Sequence, residues 1–155
     1  MGWRKFASCM CSIVALTVAA PSYGGEYGFT VHVTLSQKAG TELAARKEAI
    51  VVAVYFQGEP LPGREKYVIA DGPELIWLGS ERVTIPGTSG SAVITGKNVL
   101  RRRIDWVKQF NAQISIFTAR RSGPNNLLDC GYFEESVAVL QHAPATVFCK
   151  LIGEP

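Results

Sequence analysis

Gly28-Phe29-Thr30-Val31-His32-Val33-Thr34-Leu35-Ser36 alternates without a break. Phe29, Val31, Val33 and Leu35 fall on one side of an extended chain, and Thr30, His32, Thr34 and Ser36 fall on the other. Successive side chains of a strand point to opposite faces, so this stretch predicts a strand with one buried side and one wet side. A sheet that is wet on one face belongs to an antiparallel architecture rather than a helix-covered parallel one.

Downstream of this strand, Thr41 offers a helix cap, Glu42 suits a first turn, and Leu43-Ala44-Ala45-Arg46 favours helix. That helix has room for at most about two turns of 3.6 residues. It gives way to Ala49-Ile50-Val51-Val52-Ala53-Val54-Tyr55-Phe56, a β-branched run of the kind found in central strands. Gly58-Glu59-Pro60-Leu61-Pro62-Gly63 reads as a loop, because its prolines cannot donate to a ladder. Short strand-like pieces follow at Tyr67-Val68-Ile69, Leu75-Ile76-Trp77-Leu78, Arg82-Val83-Thr84-Ile85 and Ser91-Ala92-Val93-Ile94-Thr95. Turn signals at Asp71-Gly72-Pro73, Gly79-Ser80, Pro86-Gly87 and Gly96 separate them. Between Asn98 and Phe110 the rhythm changes. Leu100, Ile104, Val107 and Phe110 have helical spacing, which predicts one amphipathic helix laid on a sheet. Gln113 to Ala119 returns to strand, and Ser136–Gln141 with Thr146–Ile152 predicts a closing hairpin. Many short strands with regular turn signals point to a sandwich or barrel.

The first two dozen residues have a different character. Trp3-Arg4-Lys5 leads into a mostly apolar run from Phe6 to Ala20 and a small-residue exit, Ala20-Pro21-Ser22-Tyr23-Gly24. This is the layout of a secretory signal peptide over residues 1–22, with cleavage at about 22–24. The apolar run is about 15 residues, short of the roughly 20 that a spanning helix needs, so no transmembrane segment is expected after cleavage. Cys9 and Cys11 lie at the start of that run, the wrong place for a lipid-anchoring cysteine. Loss of Arg4 and Lys5 leaves 14 basic residues against 13 acidic ones, a near-neutral chain that gives no support for nucleic-acid binding. Residues 25–155 suffice for a single β-rich domain.

That domain carries two cysteines, Cys130 and Cys149, and in a disulfide-permissive compartment only one pairing exists. A redox or metal pair wants C-x-x-C spacing or added histidines, and neither occurs here. The two histidines, His32 and His142, stand alone, so no metal and no cofactor is expected. Gly87-Thr88-Ser89-Gly90-Ser91 lacks the last glycine and the following helix of a nucleophile elbow and reads as a hairpin loop. Asp71, Asp105 and Asp129 read as solvated surface; Glu134-Glu135 follow two aromatics, Tyr132 and Phe133, and are candidates to line a site. Arg101-Arg102-Arg103 would fan over about 200 degrees of a helix, too wide for one patch.

The candidate site is the loop after the Gln113–Ala119 strand. Arg120-Arg121-Ser122-Gly123-Pro124-Asn125-Asn126 presents two guanidiniums and two amides and runs into Leu127-Leu128-Asp129-Cys130, which tethers it. Arg120, Arg121, Asn125 and Asn126 are its expected binding residues, since a polar loop on a rigid scaffold is an element binding proteins use. The whole reading is a mainly β, single-domain antiparallel β-sandwich with one inserted amphipathic helix and one Cys130–Cys149 disulfide. Its expected location is periplasmic or secreted, and its expected role is non-enzymatic binding of a protein or cell-wall partner, such as an inhibitor, adaptor or envelope-associated protein performs. The alternative is a cell-envelope hydrolase using acidic residues, which would need two titratable groups converging in one cleft.

Overall fold

A computed structural model describes residues 25–69 and 74–155. The leader, with Cys9 and Cys11, and the Asp71-Gly72-Pro73 turn lie outside the described residues. Eight strands form two four-stranded sheets. They are β1 (Phe29–Leu35), β2 (Ala49–Gly58), β3 (Ile76–Pro86), β4 (Gly90–Ile94), β5 (Asn111–Thr118), β6 (Leu128–Asp129), β7 (Phe133–Ser136) and β8 (Ala145–Leu151). One sheet has the order β4-β1-β8-β6 and the other β3-β2-β5-β7. From β4 onward each strand lies in the sheet opposite to its predecessor. The chain therefore winds around one core instead of folding back in local hairpins.

The alternation in β1 does what its period requires. Phe29, Val31 and Val33 are buried, while on the other face Thr34 is exposed and His32 half-buried; Thr30, expected on the wet face, is buried. Across the sandwich, Ile50, Val52, Val54 and Phe56 of β2 supply the facing layer, and the Phe29 and Phe56 rings meet edge-on at 6.4 Å. Each such side chain, once fully buried, contributes roughly 1.5–3 kcal/mol. β2 is central, paired antiparallel to β3 and to β5. Five of the six strand pairings are antiparallel; β8 instead joins β1 in parallel.

Several local elements differ from the sequence expectation, and each difference has a partner distant in the chain. The first helix, α1 (Gln37–Ala45), starts earlier, because Ser36 rather than Thr41 caps it by accepting from the Ala39 amide at 3.0 Å. Ile76–Leu78 and Arg82–Ile85 are parts of one strand, β3, with no turn between them, and Leu75 lies just before it. Gly79, at φ 135, takes up an irregularity in register opposite Phe56 and Gln57. A Cβ there would collide with the Asn98 carbonyl oxygen, so the glycine permits close approach of backbone. Tyr67-Val68-Ile69 is no strand; Glu65–Tyr67 is a 3-10 turn whose Tyr67 ring lies 4.5 Å from that of Trp106.

A helical segment does lie between β4 and β5, but it is a 3-10 stretch, Arg101–Trp106. Its flanks are committed elsewhere. The Leu100 amide donates to Leu78 at 2.7 Å, Lys108 donates to Glu59 at 2.8 Å, and Trp106 accepts from Leu61 at 2.7 Å, so a longer α-helix has no backbone left to use. Ser136–Gln141 is not a strand of a closing hairpin either. Ser136 caps a short helix, α2 (Val137–His142), that buries Val137 and Leu140, and β7 and β8 belong to different sheets. Cys130 and Cys149 form the disulfide, closing the chain over a separation of 19 residues.

Candidate functional site

Where β5 ends, the chain turns sharply. Arg120 has φ 59, in the left-handed region that non-glycine residues rarely occupy. Immediately after it, the Arg121 amide donates to Glu48 Oε1 at 3.1 Å, and the Ser122 amide and hydroxyl donate to Glu48 Oε2 at 2.9 and 2.7 Å. Glu48 Oε1 also accepts from its neighbour's amide, that of Ala49, at 2.9 Å. The carboxylate is buried, at 5% exposure. Burial opposes its ionisation, but three backbone amides and a hydroxyl aimed at it outweigh that penalty and hold its carboxyl down at about 2.

Local rules place Glu48 there. Helix α1 ends in a paired-bond closure in which the Lys47 amide donates to Ala44 and the Glu48 amide donates to Leu43. The residue between helix and strand in this closure adopts a left-handed conformation and is ordinarily glycine; here it is Lys47, at φ 51. Gly87, in the turn after β3, lies so close to this corner that a Cβ on it would collide with the Glu48 carbonyl oxygen. Lys47, Glu48, Thr84, Pro86, Gly87 and Arg121 line an open cleft of about 440 Å³.

The expected binding residues have separate fates. Arg120, Arg121 and Asn125 are exposed. Asn126 is occupied internally. Its Oδ1 accepts from the Thr118 and Leu128 amides at 3.0 and 3.1 Å, and its Nδ2 donates to the Leu128 carbonyl at 2.7 Å. It staples the loop to the strand and is not available to a ligand. Lys47 and Glu48 are the site residues that sequence reasoning passed over. The visible signal was an acidic residue set directly against the apolar β2 run.

A second cleft, of about 450 Å³, opens at the other end of β2. Glu59, Leu75, Lys108, Gln109, Asn111 and Glu134 line it. Glu59 pairs with Lys108 at 2.9 Å, and Asn111 Nδ2 donates to Glu134 Oε1 at 3.0 Å. The Tyr132 hydroxyl donates to Glu134 Oε2, and this bond to a carboxylate raises the Tyr132 pKa. The Asn111 Oδ1 atom is buried without a partner among the described residues.

The remaining candidates are dispersed. Arg101 pairs with Glu26 at 2.9 Å and lies 5.7 Å from the Tyr27 ring, Arg103 lies 5.6 Å from the Trp106 ring, and Arg102 is exposed. The three arginines also line one open cleft of about 430 Å³ with Val99 and Leu100, but two of them are engaged by Glu26 and the Tyr27 and Trp106 rings. His32 has a neighbour that the sequence alone does not place: its Nδ1 lies 2.7 Å from Ser91 Oγ, across the β1–β4 pairing. Among the described residues no hydrogen bond joins His32 to a carboxylate, and neither His32 nor Ser91 lines the two clefts at the ends of β2. His142 ends α2. No helix among the described residues is long and apolar enough to cross a membrane. Comparison with protein-family models, with curated proteins and with solved structures finds no match.

Proposed function

We propose that the protein is an exported binding module that engages a protein or cell-wall partner through its Arg120–Asn126 loop. The observation that carries this reading is the division of labour within that loop. Its backbone is clamped by Glu48 and by Asn126, whereas the Arg120 and Arg121 guanidiniums are exposed and take part in no ion pair among the described residues. A loop ordered in advance loses little entropy when it binds, and unpaired arginines retain their hydrogen-bonding forks for a partner. The basic-apolar-small leader and the Cys130–Cys149 bridge support export to the periplasm or beyond.

Affinity capture from envelope extract tests the proposal. The wild-type chain retains a partner that Arg120→Ala with Arg121→Ala loses, with the melting temperature nearly unchanged because neither side chain is buried. Equal capture by the double variant overturns the assignment of the loop. Intact mass tests export, with the mature N-terminus expected between Tyr23 and Gly25; recovery of a full-length, membrane-extracted chain overturns it. One observation favours the alternative envelope hydrolase, namely that Glu59 and Glu134 line the same cleft. On that reading Glu134→Gln abolishes cell-wall hydrolysis. It has less support, since Glu59 is engaged by Lys108 and Glu134 by Asn111 and Tyr132.

A further inference from the structure

We infer that the cleft between Lys47 and Arg121 is a phosphate-binding site, with Arg120 beside it. This rests on the loop reading above and names the chemistry that the loop grips. Two non-glycine residues among those described have positive φ, and they are Lys47 and Arg120. Both are cations, and both adjoin the segments that Glu48 ties together. A left-handed conformation is unfavourable for any side chain with a Cβ, and glycine would relieve it at either position. Strain retained at a cation that lines the cleft, Lys47, and at the cation preceding its lining residue Arg121 points from the backbone to a use for the charges.

The electrostatics give the ligand its class. The Glu48 carboxylate is occupied by four donors, three backbone amides and one hydroxyl, so it holds the corner together without pairing with any of the cations. Lys47 and Arg121 line the cleft with the one carboxylate of Glu48. Arg120, next to Arg121 in the chain, brings the surplus at this corner to two positive charges, complementary to a phosphate dianion rather than to a single carboxylate. Thr84 brings a hydroxyl donor to the lining, and the arginine fork matches the spacing of phosphate oxygens. A free phosphate, a phosphomonoester and a phosphodiester share this chemistry. The charge surplus favours the dianionic forms.

Amide resonances of the exported chain, followed during titration, test this. Inorganic phosphate should shift the Arg121 and Ser122 amides saturably. Dimethyl phosphate, a monoanionic diester, should bind more weakly, and acetate more weakly again. Lys47→Asn, which removes the charge but tolerates the left-handed backbone, and Arg121→Gln should each weaken phosphate binding by about tenfold or more, the size of one charge-assisted hydrogen bond. The same spectra report whether each variant is folded. Unchanged phosphate affinity in both folded variants, or acetate bound as tightly as phosphate, overturns the inference. Dimethyl phosphate bound as tightly as phosphate overturns the preference for a dianion. Capture of a partner that the arginine double variant loses, without phosphate binding, overturns the chemistry and leaves the binding loop standing. Phosphate binding without such a partner supports the site and overturns the reading as a protein or cell-wall binder.

Discussion

The two ends of β2 carry clefts of similar size and opposite construction. At the Ala49 end a buried carboxylate binds backbone, and Lys47 and Arg121 form no ion pair among the described residues. At the Gly58 end, roughly 30 Å away by strand rise, the charged side chains engage one another. Glu59 takes Lys108, and Glu134 takes Asn111 and Tyr132. Charge satisfied by side chains stabilises a surface only slightly and leaves little for a ligand. Charge satisfied by main chain orders a turn and leaves neighbouring side chains free. The first arrangement reads as surface and the second as a prepared site.

The largest expected effect comes from the disulfide, the second anchor of the chain that leaves the loop. Cys130→Ser with Cys149→Ser should cost about 3 kcal/mol, as the chain-entropy account gives for a closed loop of this size. Denaturant unfolding measures it, and thiol titration of the denatured, unreduced protein should find no free thiol from this pair. A loss well below 1 kcal/mol would mean that hydrogen bonds alone hold the loop.

Glu48→Gln comes next. The variant keeps one acceptor oxygen and brings an amide against backbone donors, so about 2 kcal/mol of stability should go. The pH dependence sharpens this. The folded state holds the carboxyl at about 2 against an ordinary 4.5, so folding favours the charged form. The stabilisation is complete above about pH 4.5 and is lost as pH falls toward about 2. The gap between wild type and Glu48→Gln in urea unfolding should therefore narrow across that window. A gap independent of pH would show that the carboxylate is not the clamp.

Lys47→Gly has the opposite sign. Relief of the left-handed backbone should raise stability by about 1 kcal/mol or less, since glycine also frees the unfolded chain. Partner and phosphate binding should fall in the same variant. A stabilised protein with binding intact would remove the argument from strain. The smallest effect belongs to the other end of β2. Lys108→Ala breaks an ion pair whose side chains are more than half exposed, and such pairs contribute about 0–1 kcal/mol. A larger loss would narrow the contrast between the two ends.

Much of the scaffold was legible from local pattern. The period of two in Phe29–Leu35 gave β1, and the β-branched run gave β2 its central place, because both signals act within a single strand. Misreadings cluster where local preference was overruled. Asn98–Phe110 has helical spacing, but its flanking backbone is taken by Leu78, Glu59 and Leu61. Gly79 looks like a turn because glycine permits many conformations, and only its neighbour Asn98 shows that a close approach was the need. Asn126 looked like a binding amide because it sits in a polar loop; its partners Thr118 and Leu128 make it a staple.

By itself the sequence determined the mainly β class, the positions of the two central strands and the cysteine pairing. Periodicity is a property of a few consecutive residues, and two cysteines admit one bridge. Only the tertiary structure decided that β8 closes in parallel on β1 and that Ser91 meets His32. It alone set Glu48 under a loop 73 residues further along the chain, and so brought the strained Lys47 and the distant Arg121 into one cleft. Such contacts depend on how two sheets stack and where each strand crosses between them. That geometry is set by burial of the whole core and leaves no mark on the local pattern of any one segment.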